Sequence, residues 1–215
     1  MIAHSKAKRC GVGWKDTTME SLEAPRREPY MTEGLQRYRF NVDEYYAMAK
    51  VGIFDEDSMV ELGEGDITVI ERISPRQAGI NMYLNDFFLS ARLNAVVSAR
   101  NPVRLNRYSE PCPDIALLKF KRDYYSSAHP TGEDVLLLIE VAEATPVVDR
   151  LVKGLLYARA GVQEFWLVDL EANALEVYRS PSTEGYREVR RLGRDASVSP
   201  SAFPDISIAI AEVLG

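Results

Sequence analysis

Residues 135–141 read Val-Leu-Leu-Leu-Ile-Glu-Val, and this run constrains the fold more than any other stretch of the chain. Seven residues are too few for a helix that is apolar all round, and β-branched and leucine side chains dominate. A strand covered on both faces is the expected structure. Such a strand needs layers above and below it, so the chain must hold a sheet with helices packed on its faces. The glutamate near the end of the run, Glu140, is out of place in an apolar strand and marks a position where chemistry is to be sought.

The neighbouring segments supply the rest of the architecture. Asn41 is placed to cap a short amphipathic helix carrying Val42, Tyr45, Tyr46, Met48 and Ala49, which Gly52 ends. Residues 59–62 and 66–71 flank Glu64-Gly65 and predict a β-hairpin. Ile80, Tyr83, Leu84, Phe87, Phe88 and Ala91 recur at helical spacing behind Pro75, giving a first long helix over about 75–93. Strands are expected over 95–99, 114–118 and 135–141. A second long helix follows, with Val148, Leu151, Val152, Leu155 and Leu156 as one stripe and Gly161 as its left-handed cap. Strands at 164–169 and 174–178, a meander through 186–192, and an apolar end with Phe203, Ile206, Ile208 and Ile210 complete the chain. The order of elements predicts an α/β fold with a central mixed sheet flanked by helices.

Residues 1–36 mix Lys, Arg, Glu, Pro and Gly without apolar periodicity and are expected to form a disordered tail, with one domain over 37–215. A cloning remnant, an over-called start codon and a flexible arm share this composition, and Met31 is an alternative start. The net charge of −6 calls for a local patch if nucleic acid is the partner. Two cysteines, Cys10 and Cys112, and two histidines, His4 and His129, exclude a disulfide framework, a cysteine-rich zinc site and a histidine-rich centre. Without an apolar run long enough to span a bilayer or a secretory leader, the expected location is the cytoplasm. No phosphate-cradling glycine motif or nucleophile elbow occurs.

Asp114 opens one apolar strand and Glu140 lies near the end of the next, so pairing of the two strands brings both carboxylates to one sheet edge. Two neighbouring acids repel, and the pair is stable when a cation or a lysine sits between them. Mg²⁺ or Mn²⁺, held by few carboxylates, is the natural cation. In the competing reading, Asp114 caps a turn after Pro113 and Glu140 pairs with a surface arginine. Lys153 stands in a row with Asp149 and Tyr157, suited to orienting water or stabilising a phosphate, or simply to an Asp149 surface pair. Glu61 is a further candidate acid, or a solvated hairpin glutamate. Tyr124-Tyr125 can stack on bases or pack on their own domain, and the basic run Arg187, Arg190, Arg191 and Arg194 reads as a solvated strand.

An ordered series of segments carries a more specific likeness: Val60-Glu-Leu-Gly-Glu-Gly-Asp-Ile, Ile73-Ser-Pro-Arg-Gln-Ala, Asn101-Pro-Val-Arg-Leu, Tyr108-Ser-Glu-Pro-Cys-Pro-Asp-Ile-Ala-Leu-Leu, and Leu138-Ile-Glu-Val through Lys153 to Phe165-Trp-Leu-Val-Asp169. From about Tyr38 to the C-terminus the chain resembles the Uma-two family of endonucleases, a bacterial branch of the PD-(D/E)XK superfamily. The resemblance implies a restriction-endonuclease-like fold and a metal-dependent nuclease hydrolysing phosphodiester bonds of nucleic acid, DNA before RNA. It implies Asp114 and Glu140 as metal ligands, Glu61 as the early acid completing the site, and Lys153 in the basic role, since Ala142 stands where the superfamily expects lysine. Gln77 departs from the family pattern, where a histidine follows the Ser-Pro element, and Glu143-Ala144-Thr145 replaces its usual polar pair. A homodimer would suit a protein that cuts two strands. The alternative on the same fold is a non-catalytic nucleic-acid-binding protein or a dimeric interaction protein, its exposed apolar C-terminal strand region pairing between subunits.

Overall fold

The computed structural model describes residues 37–54, 59–70, 72–143 and 149–215, the side chains of Asp149 and Arg150 excepted. The expected tail over 1–36, with Met31, lies outside these residues, as do Ala144 and Thr145. The compact unit runs from Tyr38 to Gly215.

Its centre is a six-stranded sheet in the order β3 (Ala95–Ala99), β4 (Ile115–Lys119), β5 (Val135–Ala142), β6 (Glu164–Asp169), β7 (Ala174–Ser182) and β8 (Gly185–Leu192). Within it β5 and β6 are parallel and every other pair is antiparallel. The parallel pair needs a crossover, and the segment between its strands supplies one: a π-helical turn, Asp149–Lys153, running into helix α3 (Gly154–Arg159).

Alternation along the central strands explains their apolar runs. Ile139 and Val141 of β5 and Trp166 and Val168 of β6 join Leu84 and Phe88 in one core. Leu138 and Ala142, with Phe165 and Leu167, join Leu156 and Tyr157 in a second core on the other face. By this alternation Glu140 shares the face of Leu138 and Ala142, beneath α3.

Helix α2 (Pro75–Ser90) covers the first core. Ser74 starts it by a reciprocal capping box, accepting from the Gln77 backbone N–H while the Gln77 side chain accepts from the Ser74 N–H. The third bond of Gln77 is long-range: its Nε2 donates to the Val141 carbonyl at 2.8 Å. This bond ties the first turn of α2 to the end of β5.

Two segments differ from expectation. The stripe foreseen for the second long helix does not pack as drawn, because Leu151 and Val152 are 64% and 60% exposed. They lie in the π-helical turn, which takes more residues per turn than the 3.6 spacing assumes, so the buried face begins only at Gly154 and continues through Leu156, Tyr157 and Ala158. The apolar C-terminal region is not an exposed strand available to a partner. Strand β9 (Ser197–Val198) pairs with β10 (Ile208–Ala209), helix α4 (Ile210–Leu214) follows, and Ile208, Ile210, Val213 and Leu214 are buried in the first core.

At the other end of the unit, helix α1 (Val42–Lys50), capped by Asn41 and Glu44, holds the separate hairpin of β1 (Val60–Gly63) and β2 (Asp66–Val69). The Tyr45 hydroxyl donates to the Val60 carbonyl at 2.9 Å. Glu64 and Gly65 turn the hairpin with φ of 48° and 87°, the two left-handed residues that a two-residue turn requires. Gly65 is also pressed against Arg39, where an added Cβ would lie 2.7 Å from the Arg39 Cβ. Leu62 bridges to Glu110, and this docking brings β1 alongside the segment that leads into β4.

Candidate active site

Antiparallel pairing of β4 and β5 sets Ile115 opposite Ile139. Asp114, one residue before, and Glu140, one residue after, are therefore neighbours across the ladder, and both are buried. Among the described residues, neither makes the contacts of the competing reading. Asp114 Oδ2 accepts from the Val141 backbone N–H at 3.0 Å rather than capping a turn. Its Oδ1 accepts from Arg100 Nη1 and from Asn81 Nδ2, each at 3.1 Å. Glu140 meets a lysine: Lys153 Nζ lies 3.3 Å from Glu140 Oε2 and 3.7 Å from Glu61 Oε1. The remaining oxygen of Glu140, Oε1, accepts from the Tyr157 hydroxyl at 2.5 Å.

Glu61 reaches this place from a separate sheet. Its Oε2 accepts from the Cys112 backbone N–H at 3.1 Å, which fixes the hairpin strand to the residue two before Asp114. Glu61, Glu140 and Lys153, far apart in sequence, are thus joined through one ammonium group, and Asp114 stands beside Glu140 on the next strand. Among the described residues, no three His, Cys, Asp or Glu side chains are gathered tightly enough to form a metal-ligand cluster.

Three partners were not singled out in the sequence. Tyr157 was placed in the row of Lys153, but its bond to Glu140 depends on α3 lying over β5. Arg100 follows Ala99, which pairs with Ile115, so the strand register alone would have put it beside Asp114. It holds a left-handed φ of 53°, its N–H shared between the Pro113 and Asp114 carbonyls. Asn81 stands three residues before Leu84 and seven before Phe88, so a polar residue on the apolar face was a signal that could have found it, although nothing local names Asp114 as its partner. The other candidates fall outside the site. Tyr125 packs on its own domain, its hydroxyl donating to the Lys119 carbonyl and its ring under Lys121, while Arg187, Arg190 and Arg191 are exposed along β8. The side chain of Asp149, the alternative partner of Lys153, lies outside the described residues.

Burial first, and then the carboxylates of Glu61, Glu110 and Glu140, push the Cys112 thiol up to about 11. Only the thiolate is a nucleophile, so at pH 8 roughly one Cys112 in a thousand is reactive. In a Cys10→Ser background, alkylation by iodoacetamide at pH 8 is expected to be about a hundredfold slower than that of a thiol of ordinary pKa, and to climb steadily toward pH 11. A rate at pH 8 matching free glutathione would contradict the crowding of carboxylates around this thiol.

A mixed sheet with one parallel pair, acids at adjoining strand ends and a helical crossover over them defines the restriction-endonuclease-like class of α/β protein. The same fold is present in a crystal structure of a protein from Anabaena variabilis described as "a putative nuclease belonging to DUF820". It is 17% identical, covers 81% of this chain and 97% of the other, and gives a TM-score of 0.62. The chain belongs to the Uma2 (Uma-two) family, described as "Putative restriction endonuclease", which it matches over residues 42–211. No curated protein matches it.

Proposed function

We propose that this chain, through a domain spanning residues 37–215, is a metal-dependent nuclease that hydrolyses phosphodiester bonds, with DNA as the favoured substrate. The observation that carries the reading is Lys153 set between Glu140 and Glu61, with Asp114 on the adjoining strand. Hard oxygen donors dominate, with carboxylates at Glu61, Asp114 and Glu140 and a buried amide oxygen at Asn81, and this donor chemistry fits Mg²⁺ or Mn²⁺ rather than a thiolate-bound metal. Asp114, Glu140 and Glu61 would hold the cation, which supplies Lewis-acid stabilisation of the phosphate.

The protein's own groups carry the remaining work. Lys153, an ammonium with three donors, orients the attacking water and balances charge on the phosphoryl oxygens during in-line displacement, in which the leaving oxygen departs opposite the water. Tyr157 fixes the carboxylate of Glu140 by its hydroxyl, and Arg100 fixes that of Asp114, so neither acid has to reorganise as charge develops. A homodimer would place two such sites on opposite strands, using a surface other than the buried C-terminal region. No helix among the described residues is long and apolar enough to cross a membrane, and action in the cytoplasm is part of the same proposal.

One observation favours a second reading. Both oxygens of Asp114 already have protein partners, as they would in a non-catalytic nucleic-acid-binding or interaction protein that keeps the fold. Calorimetric titration of Mn²⁺ into the full chain, beside the Asp114→Ala/Glu140→Ala double variant, separates the two. Binding that the double variant abolishes, with cleavage of duplex DNA lost on Lys153→Ala, is the expected result. A wild type that binds Mn²⁺ no better than the double variant, even with a duplex present, would leave the non-catalytic reading in place.

A further inference from the structure

Asn81 sits in the buried stripe of α2, flanked by Ile80 and Leu84, and is 8% exposed. An amide in such a position is expected to satisfy both of its ends, since a buried polar atom left without a partner loses its hydration with nothing in return. One end is satisfied: Nδ2 donates to Asp114 Oδ1 at 3.1 Å. The other is not. Among the described residues, Asn81 Oδ1 is the buried side-chain atom that has no hydrogen-bond partner.

The orientation of the amide follows from chemistry. Asp114 is an acceptor, so the end of Asn81 that faces it must be the NH₂ group. Turning the amide over would set one oxygen against another. Oδ1, on the same carbon as Nδ2, is therefore held close to the Asp114 carboxylate with nothing to bond. The helix cannot readily swing it elsewhere. One turn earlier, Gln77 binds the Val141 carbonyl, and the Val141 N–H binds Asp114 Oδ2, which locks α2 to the same strand end. A rigidly placed, unpartnered amide oxygen beside a carboxylate suits a hard cation, for which Asn carbonyl oxygens are ordinary ligands. Being neutral, it adds a ligand without adding to the repulsion among Glu61, Asp114 and Glu140.

We propose that Asn81 is a ligand of the divalent cation, contributing Oδ1 next to Asp114. The proposal rests on the metal-dependent reading above and adds to it a neutral ligand from the helix face.

The test is calorimetric titration of Mn²⁺ into wild type, Asn81→Leu and Asn81→Asp, with thermal melts of each metal-free protein to check folding. Leucine keeps the volume and removes both polar ends, whereas aspartate keeps an oxygen and removes the NH₂ donor. A loss of about tenfold or more in Mn²⁺ affinity for Asn81→Leu, with wild-type or tighter affinity for Asn81→Asp, is the expected pattern. Unchanged affinity in Asn81→Leu overturns the proposal. So does equal weakening in both variants, which would make Asn81 only a donor that positions Asp114. In either case the nuclease reading stands, because wild type still binds. Failure of wild type itself to bind Mn²⁺ overturns both. Should Asn81→Leu not fold, Asn81→Ala, which also lacks the oxygen, is read in its place against Asn81→Asp with the same outcomes.

Discussion

Lys153→Met is expected to lower the stability of the metal-free protein by about 3 kcal/mol, the scale seen when one partner is removed from a buried ion pair. Methionine matches the lysine stem in length, so packing changes little and the loss is electrostatic. The side chains of Glu140 and Glu61 are only 5% and 12% exposed, and without the ammonium they would face each other in a poorly solvated place. Across a domain of this size the change corresponds to roughly 6–12 °C in melting temperature. Adding Glu140→Gln to Lys153→Met should recover part of it, because glutamine still accepts from Tyr157 while carrying no charge. Millimolar Mn²⁺ should likewise narrow the gap from wild type, since the carboxylates stripped of the ammonium hold a cation more tightly than they do in wild type and the folded variant gains more from it. Urea unfolding with an unchanged m-value is the measurement. Equal stability of wild type and Lys153→Met would mean that the lysine is screened by water and that the acids do not depend on it.

Trp166→Ala is expected to be the most damaging single truncation in the fold, at about 3–5 kcal/mol. Trp166 is the largest of the fully buried side chains and sits in the middle of the sheet, paired with Ile139 of β5 on one side and Val177 of β7 on the other. Its removal opens a cavity in the core shared with α2 and α4, and β6, held between β5 and β7, cannot shift to close it. The indole also donates to Glu164 Oε1 at 2.8 Å. Glu164 keeps Arg179 and the Ser201 N–H as partners, so that loss is the smaller share. Trp166→Phe isolates the two contributions: it fills most of the volume and is expected to cost about 1–2 kcal/mol. A shift below about 1 kcal/mol for Trp166→Ala in urea unfolding would be inconsistent with a close-packed core at this position.

The candidate site was legible to the extent that its residues lie on regular elements. Asp114 and Glu140 were placed at one sheet edge because period-two strands with apolar runs leave few ways to pair. The hairpin carrying Glu61 was legible from Glu64-Gly65, since that turn chemistry serves little else. Lys153 was placed near the edge by helical spacing, and it is there, although the turn that carries it is π-helical rather than α-helical. The same irregularity misdirected the reading of Leu151 and Val152, for a pattern argument assumes one period throughout a segment.

Other features depended on contacts between distant segments. Whether Ile208, Ile210, Val213 and Leu214 end a chain as a sticky strand or fold back on a core is not a local property, and here the uncovered face of the sheet beside α2 decided it. Gln77 showed in the sequence only as a departure from a pattern, because its sequence neighbours say nothing about Val141. Asn81 stands out on the apolar face of its helix, but its partner was illegible because Asp114 lies 33 positions away.

Local periodicity, turn residues and the placement of two acids in apolar strands determined the α/β class, the order of the elements and the neighbourhood of the site. Tertiary structure alone decided which side chain answers each carboxylate: Lys153 and Tyr157 for Glu140, Arg100 and Asn81 for Asp114, and the Cys112 N–H for Glu61. The division has one physical cause. Secondary structure is fixed by sterics and hydrophobic spacing within a few residues, whereas hydrogen bonds and ion pairs act over about 3 Å and depend on which distant segments the fold brings that close.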